Sequence, residues 1–277
     1  MPLLSPYNSP PSDRVPHAQA GRFPPFRLRL ARLTTLLVVV STLAVHAADV
    51  LLVATDDATL QPVLQQLQHS TMTTRAAWTS WSGQLESKSV VVARTEGDPL
   101  NAVAATTLAL RSNPPRLVVV FGASRAHDPS LKAGDVVVSE RFAAFDGIVS
   151  SVGALGTGSN ALTWIKLPHP LITAGEKETP TPFFPADPAA LAVARSLTPT
   201  QGRLVVGVLG SANQINREAD RIGWIRTHWQ TSTEDGESAH VAGTALLLGV
   251  PVIGLRVVDG TPAQAAELAL RFMKAWK

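Results

Sequence analysis

The sequence predicts an α/β fold in which helices pack over a largely parallel or mixed β-sheet. Three observations predict it. Apolar runs rich in β-branched residues recur along the chain, helix-patterned segments lie between several of them, and helix start and stop residues fall at the ends of those segments.

In chain order, residues 49–55 (DVLLVAT) read as a first buried strand, because a continuous apolar run suits a strand covered on both faces. "DATLQPVLQQLQ" follows with helical spacing. "WTSW" puts Trp78 and Trp81 on a short β-hairpin as packing residues. Residues 89–95 (SVVVART) are the next buried strand, and Pro99 suits the first turn of the helix "PLNAVAATTLALRS". Residues 116–122, 134–140 and 202–210 repeat the strand pattern. "ESAHVAGTALLLG" reads as a helix ended by Gly249, ahead of a last strand at 251–258. Thr261-Pro262 opens a final helix. Residues 150–188 are rich in Gly, Pro, Ser and Thr and lack a clear period, which predicts a long excursion able to cover a site. No repeat or dividing linker appears, so residues 48–277 are expected to form a single domain.

The formal charge is +3, but residues 1–47 carry five arginines and one acid, a net of +4, which leaves −1 for the rest. The basicity therefore belongs to the N-terminus, and nucleic acid is excluded as the expected partner. That N-terminus has a basic segment, a twelve-residue apolar run (residues 33–44) and small residues at "VHA", so residues 1–47 read as a signal peptide. Twelve apolar residues are short for a membrane span, so no stable membrane insertion is expected once the signal is cleaved. The mature chain, from Ala48, is expected in the periplasm or outside the cell, and the absence of cysteine excludes disulfides.

Residue chemistry narrows the function further. Ser124 in "VVVFGASRA" superficially fits a nucleophile elbow with His240 as partner, but Pro129 and Gly134 leave no room for the helix such an elbow needs. The loop reads better as a strand end whose backbone N–H groups face an anion or a polarised water. The histidines lack metal-ligand spacing, and neither a Walker A nor a GxGxxG pattern occurs, so neither metal nor cofactor is expected.

Two stretches carry a resemblance. "PLNAVAATTLALRSNPPRLVVVFGASRAHDPSLKAGDVVVSE" (99–140) and "GVLGSANQINREADRIGWIRTHWQTSTEDGESAHVAGTALLLGVPVIGLRVVDG" (207–260) resemble the nucleoside phosphorylase superfamily, in the branch of methylthioadenosine/S-adenosylhomocysteine nucleosidase. "LKAGDVVVSE" is the most specific segment. The resemblance implies a three-layer α/β sandwich with a mixed central β-sheet, a homodimer, and cleavage of the N-glycosidic bond of a small-molecule purine nucleoside, adenosine-type or thioether. That chemistry requires a carboxylate to hold an oxocarbenium-like ribose, an acid for the purine N7 and a base for water.

Carried over by position, Glu237 matches the ribose-binding glutamate and Arg256 the arginine near the attacking water or phosphate, with Glu237 a candidate partner for that arginine. The Gly122 and Ala123 backbone would place the water. Ile215 follows Gln214, which falls where the family has a purine-stacking aromatic, and Gly236 replaces a sugar-contacting methionine. The purine-facing acid falls on Gly260, with Asp259 one residue early, and the N-terminal base falls near Asp56 and Asp57, with Ala58 best aligned. Asp259 and Asp57 are thus the acid and base candidates. Arg125 adds bulk and charge to a loop where the family has glycine. Glu234 and Asp235 read as exposed first-turn acids, and the alternative for Glu237 is that it merely favours the helix dipole, an effect of about 0.3 to 1 kcal/mol.

Hydrolysis is expected rather than phosphorolysis, because the loop "ATDDAT" has no basic residue. The same fold without turnover, binding a nucleoside-like ligand, is the alternative, and a structural or interaction protein with a vestigial pocket is the third.

Overall fold

The computed structural model describes residues 48–112, 114–172 and 179–277; the expected signal peptide lies outside them. Among the described residues, fourteen strands and six α-helices run in the order β1 (Val50–Ala54), α1 (Asp57–Leu64), β2 (Gln68–Arg75), β3 (Trp78–Leu85), β4 (Lys88–Arg94), α2 (Pro99–Ser112) and β5 (Leu117–Ala126). They continue with β6 (Val136–Ala144), β7 (Ile148–Val149), β8 (Ile165–Lys166), β9 (His169–Leu171), β10 (Thr179–Thr181), β11 (Phe184–Pro185), α3 (Pro188–Arg195) and β12 (Leu204–Ser211). The last are α4 (Ala219–Trp229), β13 (Thr231–Asp235), α5 (Ser238–Leu247), β14 (Val252–Val258) and α6 (Pro262–Ala275).

The main sheet is mixed. β1 lies parallel between β4 and β5, and β5 also pairs in parallel with β14. Every residue of β1 and β14 is buried, as the apolar sequence of β1 and that of β14, interrupted by Arg256, require of strands covered on both faces. The pairings β5–β14, β14–β6, β6–β12, β12–β13 and β13–β5 close five strands on themselves, and β4, β3 and β2 extend the sheet beyond β1. Helix α1 packs against α6, and α2 packs against α5.

Local signals explain most boundaries. The Asp56 carboxylate accepts from the Thr59 amide at 2.8 Å and starts α1. Thr261 and Gln264 form a reciprocal capping box at α6, with Pro262 in its first turn. The "WTSW" hairpin is present as β2–β3, and Trp81 packs against the main core.

One local expectation is corrected. Glu234 and Asp235 are not exposed first-turn acids: "TSTED" is strand β13, α5 starts only at Ser238, and both side chains are 6% exposed. The alternation of β-branched threonines at 231 and 233 supports a strand, and pairing on both sides, with β12 and β5, favours it over an earlier helix start.

Within the expected excursion at 150–188, the described residues form β8, which pairs with β7 just before it, and the β9–β10 ladder, before β11 joins β6. The excursion is fastened by Asp146, whose two carboxylate oxygens meet His169 Nε2 at 3.2 Å and His240 Nε2 of α5 at 3.3 Å. His240 Nε2 is engaged there, and Ser124 Oγ has no hydrogen-bond partner among the described residues, so the two form no serine triad.

Candidate active site

A cleft of about 700 Å³ opens where β4, β5, β12, β13 and β14 all end. Carboxyl ends of parallel strands are the usual ligand sites of α/β sheets, because chain reversals there leave a crevice. Ala123, Ser124 and Arg125 line it from β5, residues 212–215 from the loop after β12, and Glu234, Asp235 and Gly236 from β13. Gly97 and Asp259 complete the wall.

Behind that lining lies a buried ionic cluster. Arg256, on β14, is fully buried; its Nη2 is 3.1 Å from Glu237 Oε1 and its Nε is 3.2 Å from Asp235 Oδ2. Nε also donates to Ser238 Oγ at 2.8 Å, and Nη1 donates to the Ala123 carbonyl at 3.4 Å. The guanidinium lies against Gly122, where a Cβ would come 2.1 Å from Nη1, so only glycine fits opposite Arg256 in the β5–β14 ladder. Two carboxylates around one guanidinium leave a net charge of −1 beneath the cleft.

Glu237 belongs to this cluster. Its Oε1 accepts from Thr55 Oγ1 at 2.7 Å as well as from Arg256, and its Oε2 accepts from Thr95 Oγ1. It is fully buried and does not line the cleft. The reason is next door: a Cβ on Gly236 would lie 2.0 Å from the Gly97 carbonyl oxygen. The space of a methionine side chain is thus taken by the β4–α2 loop, which folds over Glu237. Asp235 joins floor to lining, since its Oδ1 accepts from the Ser211 hydroxyl and the Glu237 and Ser238 amides, tying the start of α5 to β12 and β13.

The lining has a second buried network. Glu234 accepts from His127 Nε2 at 3.0 Å, Asn216 Nδ2 at 2.6 Å and the Asn216 amide at 3.1 Å. His127 Nδ1 meets Thr231 Oγ1 at 2.7 Å. Burial pushes the Glu234 carboxyl up, but the bonds from His127 and Asn216 outweigh it and hold the group below the usual glutamate value. Arg125 Nη1 stands 3.5 Å from Glu234 Oε1. The Ser124 hydroxyl is buried with no partner among the described residues.

Asp259 is brought to the cleft by a left-handed turn, φ 44°, just past β14, where its amide donates to the Ser124 carbonyl at 2.8 Å. Aspartate tolerates this conformation better than most residues. A side chain at 260 would meet Val257, its Cβ 2.4 Å from Cγ1, so the acid fits at 259 and not at 260. Ile215 is 69% exposed and faces the same cleft as Gln214.

Asp57 is elsewhere. It opens α1, where it meets Arg94 Nη1 at 2.6 Å, and it does not line the cleft, while Asp56 is spent on the helix cap. The structure therefore gathers Asp259, Ile215, Ala123 and Gly236 on one lining, sets Glu237, Arg256 and Gly122 behind it, and leaves Asp57 outside. His127 and Asn216 were not singled out from the sequence; both are polar residues whose partner, Glu234, is recognised only when β13 is recognised as a strand.

A model of the phosphorylase superfamily matches residues 49–276. The 5′-methylthioadenosine/S-adenosylhomocysteine nucleosidase of Marinomonas sp. (strain MWYL1) is 25% identical over 177 residues, 63% of this chain and 69% of that protein. The protein of the same description from Baumannia cicadellinicola is 28% identical over 180 residues, 64% and 71%. Among solved structures, the Streptococcus pneumoniae nucleosidase with the transition-state inhibitor MT-ImmA matches with a TM-score of 0.67 at 18% identity, covering 83% of this chain and 100% of that one. A futalosine hydrolase mutant from Helicobacter pylori matches with a TM-score of 0.65 at 18% identity, covering 83% and 97%. At such identity these structures speak for the fold.

Proposed function

Because the chain belongs to the phosphorylase superfamily, we propose that it is a purine-nucleoside N-ribosyl hydrolase working in the cleft at the strand ends. The observation that carries the reading is Asp259, an exposed carboxylate on the cleft wall with Ile215 and Gln214 as neighbours on that lining. It is the acid for the departing purine. The relatives' printed names, which refer to adenine thioether nucleosides, make those compounds and adenosine the reference substrates.

Charge supports hydrolysis over phosphorolysis. The lining carries Glu234, Asp235 and Asp259 against Arg125 alone, a net of −2, and the charge of Arg256 behind it is offset by Glu237. Arg94, the cation near the first strand's loop, is engaged by Asp57 and Glu96. A phosphate dianion is disfavoured in such a field, whereas positive charge developing on a ribose is stabilised by it. Glu237 acts here as part of that field, with the Ala123 segment beside the water.

The second reading, a nucleoside-binding protein without turnover, is favoured by one observation: Asp57 pairs with Arg94 away from the cleft, so the expected base is not there. Chromatographic assay of free base, with and without phosphate, separates the two. Base released without phosphate supports the hydrolase, whereas thermal stabilisation by nucleosides with no product supports the binding protein. Export and assembly as a homodimer belong to the same proposal and rest on the sequence.

A further inference from the structure

Among the described residues the cleft lining has one guanidinium, that of Arg125, which touches the buried Glu234 network through one of its three nitrogens. Arg125 stands opposite Glu234 in the short antiparallel pairing of β5 and β13. Its Nη1 leans on Glu234 Oε1 at 3.5 Å and donates to the Asn216 carbonyl at 3.4 Å. The side chain is 46% exposed, and its Nε and Nη2 make no hydrogen bond with the described residues. Beside it, the buried Ser124 hydroxyl lacks a partner among the described residues. A buried hydroxyl without a partner on a cleft wall is costly unless a ligand supplies one.

Glu234 cannot itself read a ligand, because its oxygens already accept from His127 and twice from Asn216. It holds Arg125 in place. Gln214 has its Oε1 engaged by Arg221 Nη2 at 3.4 Å, which leaves its amide N–H groups as donors. At Arg125 and Gln214 the cleft therefore offers donors and seeks acceptors, while Asp259 supplies an exposed carboxylate on the same lining. A 6-oxopurine presents two adjacent acceptors, O6 and N7, and an arginine fork matches that pair bidentately. A 6-aminopurine presents N7 beside an amino group, which would set donor against donor.

We propose that Arg125 makes this cleft selective for nucleosides of 6-oxopurines, the hypoxanthine and guanine type, by donating to O6 and N7 of the base. The proposal rests on the hydrolase reading and deepens it. In the reaction the water oxygen bonds to C1′ as the C1′–N9 bond breaks, and the bond's electron pair passes to the purine, where charge spreads to N7 and O6. With N7 taken by Arg125, Asp259 gives its proton to another ring nitrogen of the departing purine and regains one as the attacking water gives up its own. A guanidinium at O6 and N7 stabilises that charge while staying protonated itself.

The test measures kcat/KM for inosine, guanosine, adenosine and methylthioadenosine with the wild type, Arg125→Gln and Arg125→Lys, together with calorimetric binding of hypoxanthine and adenine. The wild type is expected to prefer inosine to adenosine by about 10- to 100-fold, the range of one bidentate base contact. Arg125→Gln is expected to abolish or reverse the preference, since its amide can accept from a 6-amino group, and Arg125→Lys to keep only part of it. A merely structural role would lower both substrates together. That result, or a wild-type preference for adenosine, overturns the proposal while leaving the hydrolase reading intact. Should no nucleoside release its base, the hydrolase reading fails and the calorimetry decides alone. Tighter hypoxanthine binding that Arg125→Gln removes upholds the role of Arg125, and equal or tighter adenine binding overturns it.

Discussion

His127 Nε2 lies 3.0 Å from Glu234 Oε2 while its Nδ1 meets Thr231 Oγ1 at 2.7 Å, so one buried imidazole ties the end of β5 to both ends of β13. Glu234→Gln keeps the shape but removes the charge that three donors address. It is expected to cost about 1.5 to 3 kcal/mol at pH 7 in urea denaturation, the range for a charged hydrogen bond. The Glu234 carboxyl is held below its ordinary value of 4.5, so its contribution is present above that pH and lost as pH falls through the lower folded value. The gap between wild type and variant should accordingly close in acid.

Arg256→Met should be more damaging. It leaves Asp235 and Glu237 buried without their cation, and losing one partner of a buried ion pair costs about 3 to 5 kcal/mol. The urea midpoint should fall, and exchange of the amides at 237 and 238, which donate to Asp235, should quicken.

Gly236→Met restores the residue the family carries but meets the Gly97 carbonyl. Unless the β4–α2 loop moves, overpacking of this kind costs about 1 to 3 kcal/mol. Calorimetric melting should show a lower Tm, and Gly236→Ala should show a smaller fall in the same direction.

The fastening of residues 150–188 should depend on pH. His169 is raised above its ordinary 6.5, first by its bond to Asp146, so its contribution is complete below 6.5 and lost as pH rises through the folded value. For Asp146, burial raises the carboxyl but the bonds from His169 and His240 outweigh it and hold it low, so that contribution is lost only in strong acid. Amide exchange in β9 should therefore accelerate between neutral and alkaline pH, and Asp146→Asn should remove most of that dependence.

Much of the fold was legible because periodicity reports burial: β1, β4, β5, β6, β12 and β14 all lie on runs picked out by their β-branched residues, and α1, α2, α5 and α6 on helical patterns between them. β13 was harder to read, since five mostly polar residues are a strand only through the neighbours that pair with them on either side. The site divided the same way. The pairing of Arg256 with Glu237 follows from the need of a buried cation for an acid. The occupation of Glu237 by Thr55 and Thr95, and the distance of Asp57 from the cleft, depend on how two loops fold after β1 and β4, which residue spacing does not encode.

The most direct test is the rate of free-base release from purine nucleosides by residues 48–277 and by their Asp259→Asn variant, a substitution that suits the left-handed turn at 259. The predicted result is release by the wild type without phosphate and a fall of about 10²- to 10⁴-fold in the variant, the usual loss for a general acid, with unchanged Tm. Release that is undiminished in Asp259→Asn, or no release by the wild type from any nucleoside, would contradict it.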